Sequence, residues 1–266
     1  MIRNLLLIGV ALLLPLQAAE KRCLLGIFSH PDDEMSVGPL LAKYAKAGHV
    51  VYLVAITSGQ KGVTAHANLP AGDQLGAARE EELRCAAKNL GIKPPILLQF
   101  QDQGISTLPV MEQVAGRLRE VIQQTKPQVL ITWGPDGVTG HPDHRATSVL
   151  VSQVFQQRAL LQHQPQKLYY VVSPESKAPK APPFGRLPFH TVSDIFITTE
   201  VNGREWLDAA YAAVECHKTQ WDQTQLKRFK EVSEKIFEGH VFLRLALSEK
   251  PPRPGRRETD IFAGIR

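Results

Sequence analysis

The stretch Cys23-Leu24-Leu25-Gly26-Ile27-Phe28-Ser29-His30-Pro31-Asp32-Asp33-Glu34 is an apolar run that stops abruptly at a cluster of titratable side chains. Its first six residues show no polar alternation, which marks a strand covered on both faces, as in a parallel sheet between two helical layers. The pattern repeats along the chain. Ser36–Ala47 predicts a helix, Val50–Ile56 a strand, Asp73–Leu90 a helix, Ile96–Phe100 a strand, Val110–Gln124 a helix and Val129–Trp133 a strand. Ala146–Gln156 reads as helical and Leu168–Val172 as extended. Such alternation gives parallel strands with crossover helices, hence a three-layer α/β fold with a mostly parallel sheet. Ser173–Pro188 breaks the pattern with prolines and predicts a long loop or lid. After it the sequence predicts a strand near Asp194–Thr198, helices near Arg204–Lys218 and Thr224–Phe237, and an extended His240–Leu247.

The remaining composition narrows the class. With 266 residues, 43% apolar, 21% charged and 3 Cys, the chain is too apolar for disorder and too poor in cysteine for a disulfide scaffold. Its 31 Lys+Arg are interleaved with 26 Asp+Glu, so the net charge of +5 forms no run that calls for nucleic acid. Met1–Arg3 is positively charged, Leu5–Leu16 apolar, and Gln17-Ala18-Ala19 offers small residues for cleavage. This layout predicts a signal peptide over 1–19 and a single exported domain over 20–266, periplasmic or extracellular. The apolar run, broken by Pro15, is shorter than the roughly 20 residues of a membrane span. Cys23, Cys85 and Cys216 are odd in number and far apart; they allow one disulfide, but buried thiols are the expected state.

In open α/β sheets, ligands bind at the carboxyl ends of the strands. The first strand ends in Ser29-His30-Pro31-Asp32-Asp33-Glu34, and the fourth runs into Gly134-Pro135-Asp136-Gly137-Val138-Thr139-Gly140-His141-Pro142-Asp143-His144. Either His-Pro-Asp alone could be a helix start, since proline suits the first helical position and acids suit the first turn. Two at one sheet edge ask for more. His30 and Asp33 are spaced to converge at a turn, and His144 can close the set. Two imidazoles and one carboxylate leave a fourth position for water, the arrangement of catalytic zinc; ferrous iron also suits this donor set. Asp32 is then placed to take the proton of that water. His141 can face the substrate carbonyl as imidazolium, and Asp143 can orient an imidazole.

These motifs resemble the LmbE/PIG-L-like family of zinc-dependent N-acetylglucosaminyl deacetylases, whose signatures stand here as His30–Glu34 and Gly140–His144. The likeness extends to Thr57-x-Gly59-x-x-Gly62, Arg79-Glu80-Glu81-Glu82-Leu83 and Asp260-Ile261-Phe262-Ala263-Gly264. It implies a Rossmann-like sheet and a small amino-sugar or glycoconjugate substrate. It also implies zinc on His30, Asp33 and His144, Asp32 as general base, and His141 assisting the tetrahedral intermediate. By the same likeness Arg79 reaches the pocket to hold a substrate hydroxyl or anion; a buried pair with Glu82 is the competing expectation. Asp102 would hold sugar hydroxyls or simply make an Asp-Gln-Gly turn, and His217 is either a pocket wall or a core histidine. Thr139 stands where some relatives carry tyrosine.

Other classes fit less well. A non-catalytic zinc- or sugar-binding protein has no use for Asp32 and His141. A metal-dependent phosphoesterase needs further ligands, for which only Asp136 and Glu34 are candidates. A nucleotide-binding oxidoreductase lacks the Gly-x-Gly turn after its first strand.

Overall fold

A computed structural model describes residues 21–178, 189–250 and 255–265. The leader expected over 1–19 and residues 179–188 of the Pro-rich loop lie outside the described residues. Seven strands form one sheet: β1 (Cys23–Phe28), β2 (Val50–Thr57), β3 (Ile96–Phe100), β4 (Val129–Trp133), β5 (Lys167–Val171), β6 (Thr199–Asn202) and β7 (His240–Ser248). Their order is β3-β2-β1-β4-β5-β7-β6. The five on the β3 side are parallel, whereas β7 runs antiparallel to both β5 and β6.

The helices are α1 (Gly38–Lys46), α2 (Asp73–Leu90), α3 (Leu108–Thr125), the single turn α4 (Gly137–Gly140), α5 (Pro142–Gln156), α6 (Leu207–Val214) and α7 (Gln223–Lys235). Every residue of β1 is buried, and successive side chains enter opposite layers. Leu24 and Phe28 join the core under α1, α2 and α6, while Leu25 and Ile27 join the core under α3 and α5. This explains the unbroken apolar run: both faces of the strand are covered. Among the described residues no helix is long and apolar enough to cross a membrane.

Two C-terminal expectations are corrected. Asp194–Thr198 is not a strand; it opens with a 3-10 turn at Asp194–Phe196, and the ladder begins at Thr199, opposite Leu243. Ile195 and Phe196 are exposed there, so their apolar character misled the reading. The helix expected over Arg204–Lys218 divides into a 3-10 turn and α6, which ends at Val214. Beyond it the chain folds back through bonds from the Gln220 and Trp221 N–H groups to His217 O.

The cysteines also depart from expectation. Cys23 is a buried thiol, but Cys85 on α2 and Cys216 after α6 form a disulfide. They lie 131 residues apart in sequence, and only the packing of α2 on α6 brings them together. Closing so long a loop constrains the unfolded chain, so Cys85→Ser is expected to cost about 2–5 kcal/mol in urea unfolding without reductant. No change on substitution would show that the bond carries no stability.

Candidate active site

The strand order reverses between β1 and β4, opening a crevice at their carboxyl ends. The loop after β1 and the segment from α4 into α5 face each other there. Asp33 folds back on its own loop, its Oδ2 accepting the N–H groups of Ser29 and His30, each at 2.9 Å. Its Oδ1 lies 3.2 Å from His144 Nε2, and its Oδ2 lies 3.6 Å from His30 Nδ1. His144 Nδ1 is 2.9 Å from Gly137 O. A carbonyl only accepts, so Nδ1 carries the proton and Nε2 presents a lone pair to the crevice. Trp133 stacks on the His144 ring at 4.4 Å. Gly137, at φ 68°, permits the close turn: a Cβ there would sit 2.9 Å from His144 Cβ.

His30 is gripped from its other side. Its Nε2 lies 3.2 Å from Asp102 Oδ1 and 3.4 Å from Asp143 Oδ2. Both carboxylates are buried and tied to backbone: Lys61 N–H donates to Asp102 and Gln103 N–H to Asp143. Burial opposes charge on His30, but Asp33 and then these two carboxylates overcome it and raise the imidazole well above its usual range. Burial likewise penalises the Asp102 carboxylate, yet the bond to His30 holds it at about 2. Asp102, expected to hold sugar hydroxyls, thus faces His30.

Asp32 sits between these groups with a left-handed backbone, φ 97°, a conformation that non-glycine residues adopt only where their surroundings enforce it. Two contacts enforce it here. Glu34 Oε2 accepts the Asp32 N–H at 3.1 Å, and Arg79 Nη2 lies 3.1 Å from Asp32 Oδ1. The Arg79 guanidinium also donates to Pro31 O and Gly59 O. It packs so tightly on the Thr57–Gly62 turn that a Cβ on Gly59 would fall 2.1 Å from Arg79 Nη1. Burial raises the Asp32 carboxyl above the usual carboxylate range; Arg79 opposes this and neighbouring Asp33 adds to it.

Arg79 lines the cavity as expected, but its Nη1 and Nη2 groups are bonded to the loop and to Asp32; the expected pair with Glu82 does not form, since Glu82 bonds instead to the Thr219 N–H and hydroxyl. His217 is wholly buried and forms no part of the pocket wall; its Nε2 lies 2.6 Å from Glu34 Oε1. Burial disfavours charge on His217, but Glu34 outweighs it and raises the imidazole above its ordinary value. A chain of contacts from His217 through Glu34 therefore holds the Asp32 backbone. Breaking a buried pair strands a charge, so Glu34→Ala is expected to destabilise the fold by about 3–5 kcal/mol in denaturant titration. A loss below 1 kcal/mol would mean that the pair is uncharged or replaceable. Sequence reasoning recorded Glu34 as part of the motif but had no signal for its partner 183 residues away.

His141 caps α5: its Nδ1 accepts the Asp143 N–H at 3.2 Å, leaving Nε2–H as a donor toward the crevice. Its ring lies 4.8 Å from that of His30 and 5.2 Å from that of His144, and the three imidazoles offer ligand atoms within 4.8 Å of one another. Burial lowers the His141 pKa, and the adjoining His30 and His144 lower it further. Both effects disfavour the imidazolium at this position. Val138, with φ 58°, carries local strain beside it. Buried nitrogen and oxygen donors a few ångströms apart fit a divalent ion: His30, His141 and His144 form one such group and His30, Asp102 and Asp143 another, with Asp33 beside both His30 and His144. Asp136 caps Val138 N–H and Glu34 is held by His217, so neither is spare for the second ion of a phosphoesterase.

Comparison with known proteins agrees with this geometry. The family model described as "PIG-L: GlcNAc-PI de-N-acetylase" matches residues 25–155. A 1D-myo-inositol 2-acetamido-2-deoxy-alpha-D-glucopyranoside deacetylase of Catenulispora acidiphila is 30% identical, covering 93% of this chain and 98% of that protein. Among solved structures, the N,N'-diacetylchitobiose deacetylase of Pyrococcus horikoshii aligns with TM-score 0.66 and 19% identity over 84% of this chain and 83% of that one. The 4-carboxy-2-hydroxymuconate hydratase GalB of Pseudomonas putida aligns with TM-score 0.64 and 15% identity, covering 87% and 99%. The same fold thus carries different chemistries, and the site must decide between them. The expectation of export, periplasmic or extracellular, is withdrawn: the chain is 29–31% identical to several 1D-myo-inositol 2-acetamido-2-deoxy-alpha-D-glucopyranoside deacetylases, and the leader on which that expectation rested lies outside the described residues.

Proposed function

Because the chain belongs to the GlcNAc-PI de-N-acetylase (PIG-L) family, we propose that it is a metal-dependent hydrolase that removes the N-acetyl group from an N-acetylglucosamine-type sugar. The observation that carries this reading is the meeting of His30, Asp33 and His144 in the crevice between β1 and β4, with Asp32 and His141 flanking them. We assign His30 Nδ1, Asp33 Oδ1 and His144 Nε2 as the ligands of a divalent ion, zinc in our reading. Such an ion, when bound, supplies Lewis-acid polarisation of the amide carbonyl and acidifies a water.

The protein's own groups do the rest. Asp32, whose carboxyl is raised by burial, accepts a proton from the attacking water, and Arg79 and Glu34 fix its position. His141 donates a hydrogen bond from its Nε2–H to the oxygen on which negative charge develops, and the proton that Asp32 takes from the water passes to the departing amine. Asp102 and Asp143 lie 3.2 and 3.4 Å from His30 Nε2, which favours a proton on that nitrogen and leaves Nδ1 as the ligand atom. Replacing His141 by alanine is expected to lower kcat by about 10²–10³-fold, with metal affinity little changed. An equal fall in both would make His141 a ligand, a role that its distance to His30 and His144 permits.

The direct test is to incubate zinc-loaded protein with a panel of N-acetylated amino sugars, among them N-acetylglucosaminyl inositol and N,N'-diacetylchitobiose, and to assay acetate. Metal bound without release of acetate from any of them would refute the deacetylase assignment.

A further inference from the structure

We infer that the Cys85–Cys216 bond is an exchange site for low-molecular-weight thiols, and that its state sets how firmly Asp32 is held. The two half-cystines are unequally placed: Cys85, on α2, is exposed, whereas Cys216, just after α6, is buried. A thiol in solution therefore meets Cys85 first, and exposed disulfides are the ones open to exchange. One turn further along α2, the Asn89 side-chain amide donates to Cys216 Sγ at 3.1 Å and lies 3.7 Å from Cys85 Sγ. An attacking thiolate forms a bond to Cys85 Sγ, and the electron pair of the old sulfur–sulfur bond moves to Cys216 Sγ. The Asn89 N–H stabilises the thiolate formed there, and a better stabilised leaving thiolate departs faster. A second thiol, on the same or another molecule, then displaces Cys85. The two thiols thereby supply two electrons and leave as their own disulfide, while their two protons pass through water to Cys85 and Cys216.

What the bond anchors is the support of Asp32. His217 follows Cys216 directly, and its Nε2 lies 2.6 Å from Glu34 Oε1. Glu34 Oε2 in turn accepts the Asp32 N–H, so the anchor reaches a backbone whose φ of 97° must be enforced from outside. The same short segment grips the loop that carries Arg79, since Gln220 Nε2 donates to Gly62 O. Thr219 bonds through its N–H and hydroxyl to Glu82, three residues before Cys85 and on the same face of α2. One covalent tie and two hydrogen bonds thus fix residues 216–219 to that helix. Cutting the covalent tie leaves His217 held by hydrogen bonds alone and frees Asp32 to relax out of its left-handed conformation.

The test compares zinc-loaded protein before and after equilibration with dithiothreitol, zinc being kept in excess, by amide hydrogen exchange and by acetate release. On reduction, residues 29–36 and 214–221 are expected to exchange at least about ten-fold faster, with β4 unchanged. Over the same titration kcat should fall by roughly 10–100-fold with KM little altered, and reoxidation should restore it. Cys85→Ser should show the reduced behaviour from the start and ignore the thiol, which separates exchange at this bond from removal of zinc by dithiothreitol. If Cys85→Ser does not fold, the reduction and reoxidation cycle of the wild type decides alone. Asn89→Ala should slow reduction by about ten-fold, followed by mass after alkylation of the freed thiols. Equal rates in Asn89→Ala and wild type, or a bond that no thiol reduces without denaturant, would overturn the exchange site. Protection and kcat unchanged on reduction, or a Cys85→Ser protein that responds to the thiol as the wild type does, would overturn its hold on Asp32. Protection lost on reduction in a protein that releases acetate in neither state would instead sink the deacetylase reading and leave this inference standing.

Discussion

Asp32→Asn is expected to lower kcat toward N-acetylglucosamine derivatives by about 10²–10⁴-fold while the protein keeps its full complement of metal. Asparagine preserves the shape of the side chain and an oxygen for Arg79, which lies 3.1 Å from the present carboxylate. The Glu34 bond to the backbone N–H of residue 32 is also kept, so the left-handed turn should survive. Only the capacity to accept a proton is lost. Metal analysis alongside an acetate assay makes the distinction. If metal leaves with activity, the roles assigned to Asp32 and Asp33 are reversed.

His144→Ala should have the opposite signature: metal falls to trace levels, and turnover falls with it to that of the chelated wild-type protein. The imidazole presents its only free nitrogen to the crevice, since Nδ1 is committed to Gly137 O. Trp133 is stacked against the ring and holds it in that orientation. A bound ion contributes several kcal/mol to the transition state, so removing it is expected to cost at least about 10³-fold. Titrating a chelator into the wild type and restoring activity with zinc checks the same point. Turnover that persists after chelation would refute metal dependence, and an ion retained by His144→Ala would move the ligand set toward His30, His141 and Asp33.

The two substitutions probe a site whose parts were unequally visible in the sequence. His30, Asp33 and His144 could be singled out because each sits in a short motif directly after a strand, and the carboxyl edge of a parallel sheet gathers such segments. Their partners could not. Arg79 was expected to reach substrate or Glu82, yet it is tied to Asp32, Pro31 and Gly59. Asp102 was expected against sugar hydroxyls, yet it lies beside His30 Nε2. Each residue has several chemically acceptable partners, and the choice is made by how α2 and the β3 loop pack, which no local pattern records.

The strands show the same division. β1, β3 and β4 have the boundaries expected of them; in β1 and β4 this follows because a fully buried strand is apolar almost throughout and ends where polar groups begin. The segment at Asp194–Thr198 failed that test in reverse, with apolar residues on an exposed turn.

Local chemistry alone was thus enough to establish the α/β alternation and the two His-Pro-Asp loops, since these depend on residue type and short spacing. Long-range packing decided the antiparallel β7, the Cys85–Cys216 bond and the His217–Glu34 support of Asp32. Each of these joins groups distant in sequence, and such contacts form only when burial of the two cores brings the elements carrying them together.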